Sequence, residues 1–336
     1  MFAKKYCMKD VGKIVWGVIG AGNVCEVKSV PGMYKIPHSE VKIVMRRSAD
    51  KAKDFARRHN IPYWTTQLND VLNDSEIDII YISTPPSTHC ELTLLAAKAG
   101  KAIYVEKPMA NTLRECEEMI ETCKKHQVPL YVAYYRRVLS GFNKIKEIIE
   151  SGKIGKVRFV NIEMYRSLAK NDFDAENNWR VHPEISGGGY LHDVASHQLD
   201  YLDSLFGKIT EAKGIAKNQA NLYPADDIVA GSFLFENGVV GTGMWCFTAD
   251  QSSEKELTTI LGSKGHLCYN TFGNPMKIQL TTANGEEVIE IENPHHIQQP
   301  LIEVIVQELL GNGKCPSTGV TAARTTSVMS QLTGGF

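Results

Sequence analysis

Apolar residues follow two different rhythms along this chain, and the change between them comes near residue 135. Before that point, short unbroken apolar runs alternate with stretches of helical period. Residues 14–19, 41–45, 78–83, 102–105 and 128–133 read as strands, rich in β-branched and aromatic side chains. Helices are predicted between them at 49–59, around 67–72, at 90–99 and at 113–126. An unbroken apolar strand is one buried on both faces. Strands alternating with helices at this spacing predict a parallel, doubly wound sheet.

Beyond Tyr134-Tyr135-Arg136-Arg137 the texture changes. A helix at 142–150 and a turn marked by Gly152 and Gly155 lead to a strand at 156–164. One more helix precedes strand-like runs at 209–216, 228–236, 239–247, 254–261, 265–269, 276–281 and 287–291. Glu236-Asn237-Gly238 and Ala283-Asn284-Gly285 are hairpin turn signals. Helices near 301–310 and 322–332 close the chain. The fold expected is an α/β domain over 1–134, followed by an α+β domain over 135–336 with a large, mainly antiparallel open sheet. Helices cover one face of such a sheet, and a second copy of the sheet is the simplest cover for the other. A homodimer or homotetramer through the C-terminal sheet is therefore expected.

Composition narrows the class. A chain of 336 residues can bury two separate cores. Its 43% hydrophobic and 22% charged residues are those of a soluble globular protein. Net charge is -1 with no long run of either sign, which argues against a nucleic-acid or anionic-membrane partner. No apolar stretch approaches the roughly 18 residues of a membrane span, and the opening MFAKKYCMKDVGK lacks the apolar core of a signal peptide. The eight cysteines, at 7, 25, 90, 116, 123, 246, 268 and 315, form no CxxC pair. That argues against a zinc site or a disulfide framework and fits a reducing cytoplasm.

The first half carries three stretches of candidate chemistry. The 14–19 strand runs into Gly20-Ala21-Gly22-Asn23-Val24-Cys25, a near-complete G-x-G-x-x-G/A fingerprint with Cys in the third position. Its first glycine permits a tight turn, its second lets the backbone approach a pyrophosphate, and helix N–H groups then face that anion. The 41–45 strand ends in Arg46-Arg47-Ser48, where an NAD site usually carries an acidic residue. Two guanidiniums and a hydroxyl suit a 2′-phosphate that a carboxylate would repel, so NADP is expected over NAD. The 78–83 strand leads to Thr84-Pro85-Pro86-Ser87-Thr88-His89, an extended turn at the sheet edge within reach of a nicotinamide ribose. Ser87 or Thr88 is placed to cap the next helix, and His89 reads either as a helix-start histidine or as a ligand contact. Finally, KAIYVEKPM (101–109) is a strand stopped by Pro108. It leaves the Lys107 ammonium at the edge where open α/β sheets bind ligands.

In the second half the informative stretch is 177–203. Gly187, Gly188 and Gly189 give a loop that can lie against a ligand. Asp193 and His197, four residues apart, share a face of the following helix. A carboxylate beside an imidazole orients the ring and favours its charged form, which suits acid–base work at a hydroxyl or carbonyl. An isolated D-x-x-x-H is also an ordinary surface pair. His192 and Asp200 read as structural, and no third and fourth ligand support a metal.

Together these motifs resemble the glucose–fructose oxidoreductase / inositol dehydrogenase (Gfo/Idh/MocA) family over nearly the whole chain. The resemblance rests on Gly20-Ala21-Gly22, Ser83-Thr84-Pro85, Glu106-Lys107-Pro108, Arg136-Arg137, Trp179-Arg180, Gly187-Gly188-Gly189, and Asp193 with His197. It implies a Rossmann NAD(P)-binding domain followed by a substrate-binding and oligomerisation domain. The implied reaction is hydride transfer between nicotinamide C4 and a hydroxyl or carbonyl carbon of a sugar, polyol or cyclitol. In that reading Gly20, Ala21, Gly22, Asn23 and Val24 hold the pyrophosphate, and Arg46, Arg47 and Ser48 hold the 2′-phosphate. Ser83, Thr84, Pro85, His89, Glu106, Lys107 and Arg137 complete the cofactor site. Lys107 stabilises alkoxide character on the substrate oxygen, His197 exchanges the hydroxyl proton, Asp193 orients it or binds substrate, and Trp179 and Arg180 line the sugar pocket. Three departures stand out: Cys25 for a smaller residue, Arg46-Arg47 for the acidic residue, and Ala195 for a glycine between Asp193 and His197. Two other readings of the same fold compete. One is a glycosidase that oxidises transiently with a retained NAD; the other is a non-catalytic, cofactor-sensing regulator, which the retention of Lys107, Asp193 and His197 disfavours.

Overall fold

The computed structural model describes residues 12–334, so Cys7 and the rest of the opening stretch lie outside the described residues. The chain forms two compact units. The first comprises the chain up to Ala110, Arg114–Tyr135 and Pro294–Ala323; the second comprises Asn111–Leu113, Arg136–Asn293 and the chain from Arg324. The expected single cut at 134/135 therefore meets a chain that returns. Residues 294–323 carry an apolar stripe, Leu301, Ile302, Ile305, Val306 and Leu309, that is buried. Periodicity reveals such a stripe but not which core it joins.

The first unit runs β1 (Ile14–Ile19), α1 (Asn23–Val27), α2 (Val30–Lys35), β2 (Ser39–Met45), α3 (Ala49–Arg58), β3 (Tyr63–Thr65), α4 (Leu68–Leu72), β4 (Ile79–Ile82), α5 (His89–Lys98), β5 (Ala102–Val105), α6 (Leu113–Lys125) and β6 (Leu130–Val132). Its six strands are all parallel, in the order β3-β2-β1-β4-β5-β6. The central strands β4 and β5 are buried at every position, as a sheet covered on both faces requires. Tyr81 stacks on Tyr104 and Trp16 meets Tyr104 edge-on, so aromatic contacts join three adjacent strands. The short edge strand β3 is absent from the sequence expectation. It has three residues, and Tyr63 and Trp64 on it are exposed, so no apolar run announces it. The strand order reverses at β1 and β4, and the crevice at that switch point is where such sheets bind ligands.

The second unit contains α7 (Ser140–Glu150), β7 (Val157–Tyr165), α8 (Pro183–Ser186), α9 (Ser196–Phe206), and then β8 (Ile209–Lys217), β9 (Ile228–Phe235), β10 (Val240–Cys246), β11 (Lys255–Gly262), β12 (Gly265–Tyr269), β13 (Met276–Thr282) and β14 (Gly285–Ile291). After them come α10 (Gln299–Leu309) in the first unit and α11 (Gly319–Leu332), which crosses the division. The eight strands pair as β14-β13-β12-β11-β7-β10-β9-β8, antiparallel except between β7 and β10. Both predicted hairpins are present, β9–β10 and β13–β14. Burial alternates along β10 and β13, so one face is packed and the other is open. On the packed face Gln198 of α9 accepts from the Trp245 indole N–H at 2.8 Å, and Phe206 meets Phe235 edge-on. Among the described residues no helix is long and apolar enough to cross a membrane.

Candidate active site

In the first unit three turns come together at the carboxyl ends of β1, β4 and β5. Gly20 ends β1 with φ +87, and a Cβ there would lie 2.5 Å from Thr84 Cγ2. Both the backbone angle and the neighbour demand glycine. Gly22 differs. A Cβ there would meet only the Gly20 carbonyl oxygen at 3.7 Å, so its free side is a cradle that a ligand backbone can enter. Asn23 and Val24 begin α1 at this point. Cys25 is buried behind them, its N–H bonded to Gly22 O at 2.9 Å and its Sγ 3.1 Å from Ser83 Oγ. Burial pushes this thiol up to about 12, so it packs as a small apolar group. The Ser83 hydroxyl also lies within bonding distance of the Ile19 and Gly20 carbonyls, fastening the β4 turn to the β1 turn.

His89 joins the third turn. Its Nε2 lies 2.8 Å from Thr84 O and its Nδ1 3.0 Å from Pro108 O. Pro108 follows Lys107, so the ring bridges the turn after β4 to the turn after β5. Burial lowers its pKa, with both carbonyls opposing. Thr88 does not cap α5 with its side chain. Its hydroxyl donates to Pro85 O instead and lies 2.7 Å from the Thr84 hydroxyl, which closes the turn on itself. Glu106 is buried. Its Oε1 accepts from Tyr81 at 2.6 Å and from Gln298 Nε2 at 2.6 Å, and its Oε2 accepts from the Lys107 N–H at 3.2 Å. Beyond β2, Arg46 is half-buried and Arg47 exposed, and among the described residues neither makes an ion pair. Ser48 is the N-cap of α3, its hydroxyl facing Lys51 N at 3.5 Å.

In the second unit the turn Trp179–Val181 presents Trp179 and Arg180. The guanidinium lies 4.6 Å over the indole, and its Nε is 3.4 Å from Asp193 Oδ2. Asn178 starts this turn by accepting from Arg180 N at 3.3 Å. Its own amide is held by buried Asp172 at 3.0 Å, which also accepts from Tyr190 at 2.5 Å. Sequence reading passed over Asp172, Asn178 and Tyr190. The Asn-Trp-Arg cap was the only available signal, because the partners are 6 and 18 residues apart. Gly187, Gly188 and Gly189 all have positive φ. Added Cβ atoms would run into Asn111, His192 and Ala225 respectively. Asp193 lies in a π-helical turn, Leu191–Ala195, and His197 in α9 just after it, buried beside the Phe272 ring. Such π turns are frequent at functional sites. Among the described residues no three His, Cys, Asp or Glu side chains are grouped to hold a metal ion.

Residues 14–134 match the oxidoreductase family with an NAD-binding Rossmann fold, GFO/IDH/MocA, and residues 142–268 match the GFO/IDH/MocA C-terminal domain. Oxidoreductase P35 of Formosa agariphila is 39% identical over 324 residues, covering 96% of this chain and 99% of that one. The chain belongs to the Gfo/Idh/MocA family of oxidoreductases. Another relative, the 1,5-anhydro-D-fructose reductase of Ensifer adhaerens, is 25% identical over 323 residues and 90% of each chain. Among solved structures, the aldose-aldose oxidoreductase of Caulobacter crescentus complexed with glycerol superposes with a TM-score of 0.84 at 21% identity, over 95% of this chain and 96% of that one.

Within this Gfo/Idh/MocA chain, three residues expected at the cofactor have side-chain partners inside the protein. His89 has both ring nitrogens against main-chain carbonyls. Glu106 turns its carboxylate inward to two side-chain donors. Arg137 is buried in a two-point pair with Asp200, Nε to Oδ2 at 2.8 Å and Nη2 to Oδ1 at 2.7 Å. Burial pushes the Asp200 carboxyl up while the guanidinium opposes it. In each case a short motif match locates the residue without telling which way its side chain turns.

Proposed function

We propose that this oxidoreductase uses NADP to transfer hydride to or from a hydroxyl or carbonyl carbon of a sugar, polyol or cyclitol. The observation that carries the reading lies wholly within the first unit. The turn bearing Lys107 is tied through His89 to the turn that packs against Gly20, so the turn that carries this ammonium group adjoins the dinucleotide cradle. The open side of Gly22 fits a pyrophosphate, and Arg46 and Arg47 fit a 2′-phosphate. When bound, the nicotinamide supplies the hydride donor or acceptor. Lys107 stabilises negative charge on the substrate oxygen, a role that fixed charge performs well in a water-poor site. His197 takes the hydroxyl proton in oxidation and returns it in reduction, with Asp193 and Arg180 setting the polarity around it. Trp179 offers a flat apolar surface to a sugar ring. The 1,5-anhydro-D-fructose reductase relative supports a sugar substrate.

The deciding experiment is calorimetric titration with NADPH and, separately, NADH. NADPH should bind at least about tenfold tighter, a gap of about 1.4 kcal/mol, and an Arg46→Ala, Arg47→Ala variant should erase the gap. Equal affinities would remove the arginines from cofactor selection. Nicotinamide released only on denaturation would favour the glycosidase with retained cofactor.

A further inference from the structure

Gln298 stands just ahead of α10, in the segment that returns to the first unit, and its side chain is fully buried. A buried primary amide costs about 1–3 kcal/mol unless it is hydrogen-bonded. This one is bonded at both ends. Its Oε1 accepts from the Tyr104 hydroxyl at 2.7 Å, and its Nε2 donates to Glu106 Oε1 at 2.6 Å. Glu106 receives two further donors, the Tyr81 hydroxyl and the Lys107 N–H. All three contacts bring a hydrogen to the Glu106 carboxyl oxygens. The amide orientation follows, because turning it over would set two acceptors against each other.

The same segment also grips the fingerprint helix. Gln298 N donates to Lys28 O at 3.0 Å, immediately after α1. His296 lies two residues earlier, with Nδ1 2.7 Å from Val27 O and Nε2 2.7 Å from the Lys35 ammonium. Burial lowers the pKa of this ring, with Val27 O opposing. A neutral ring donates from Nδ1 to the carbonyl and accepts the Lys35 proton at Nε2. A stretch of three residues therefore touches the end of the pyrophosphate-facing helix and the carboxylate next to Lys107.

We propose that Gln298 is a positioning residue for Lys107. It holds the Glu106 carboxylate, the carboxylate holds the Lys107 amide, and the turn that presents the Lys107 ammonium is thereby fixed to the segment gripping α1. The inference rests on the reading of Lys107 as the charge that faces substrate.

The test compares wild type with Gln298→Met, which keeps the volume and removes both bonds, and with Tyr104→Phe, which removes one hydroxyl and spares the fold. Amide exchange of the full chain, labelled at lysine and valine with 15N, reads the turn without substrate. The Lys107 amide should exchange at least about tenfold faster in Gln298→Met and by a smaller factor in Tyr104→Phe, while Val15 and Val18 in β1 hold their rates. With a substrate from an aldose and ketose screen, kcat should fall about tenfold or more in Gln298→Met, with cofactor affinity within about twofold of wild type. An unchanged Lys107 amide would overturn the proposal, as would equal acceleration across β1, or a locally faster amide with undiminished kcat. If wild type turns over none of the sugars, the functional reading fails separately, and the exchange result still decides whether Gln298 holds the turn.

Discussion

Two glycines in the fingerprint, two residues apart, make opposite demands on a side chain. Gly20 needs a positive φ and has Thr84 where a Cβ would go, whereas Gly22 has extended backbone and an open side. Gly20→Ala should therefore destabilise the fold by more than about 1 kcal/mol. Gly22→Ala should melt as wild type does and lose at least about tenfold in cofactor affinity, since the methyl group enters the space the pyrophosphate needs. Thermal melts and calorimetric titration on the two variants separate the effects, and a Gly22→Ala protein with full affinity would place the cofactor elsewhere. Lys107→Ala should lower turnover by about a hundredfold or more with cofactor binding kept. Near-normal turnover in steady-state assays would remove Lys107 from the chemistry. The positions of these residues at the strand ends were readable from spacing alone. The inward turn of Glu106 was not, because its partners Tyr81 and Gln298 lie 25 and 192 residues away.

At the scale of single elements, the turn Leu191–Ala195 shows what periodicity leaves out. Four-residue spacing placed Asp193 and His197 on one face of a helix. The chain there winds as a π turn before α9 begins, and His192 is driven inward against Gly188. Burial pushes the His192 imidazole down to about 4, with the Gly188 main chain opposing. The unfolded chain, at the ordinary value of 6.5, then binds the proton more readily than the folded one, so stability is lost as pH falls from 6.5 towards 4. Integrated between pH 7.5 and pH 5, the group withdraws about 2 kcal/mol. His192→Asn should flatten the pH dependence of urea stability by about that amount. Buried His89 keeps a residual slope of the same sign in the first unit. A variant with the wild-type slope would show that burial leaves the proton affinity of His192 unchanged. Elements with plain patterns were easier. The predicted ends of β1, β5 and β12 coincide with the observed ones, since Gly, Asn and charged residues bracket each run.

On the scale of the whole molecule, both sheets apart from the short edge strand β3 follow from the hydrophobic pattern, and the return of 294–323 does not, because an amphipathic helix carries no label for its partner core. The open face of the second sheet is the remaining question. Cross-strand register aligns Val240, Phe159 and Leu261 in one row, and Ile215, Ala230, Met244, Glu163 and Leu257 in another. Ile215, Val240, Met244 and Leu261 are exposed there, as is Val288 on β14. Eight strands of about seven residues present roughly 900 Å², close to the roughly 800 Å² per partner that a stable interface buries. The face mixes these apolar rows with Thr242 bonded to Asn161 and Lys255 paired with Glu163, the composition of an interface with both apolar and polar contacts. We propose that a second copy of the chain covers it. Light scattering should then give a dimer or tetramer at micromolar concentration. Val240→Asp with Met244→Asp puts two carboxylates into the apolar rows beside Glu163 and should shift the mass towards the monomer, leaving circular dichroism unchanged. A monomeric wild type, or an assembly indifferent to both aspartates, would assign this face to another purpose.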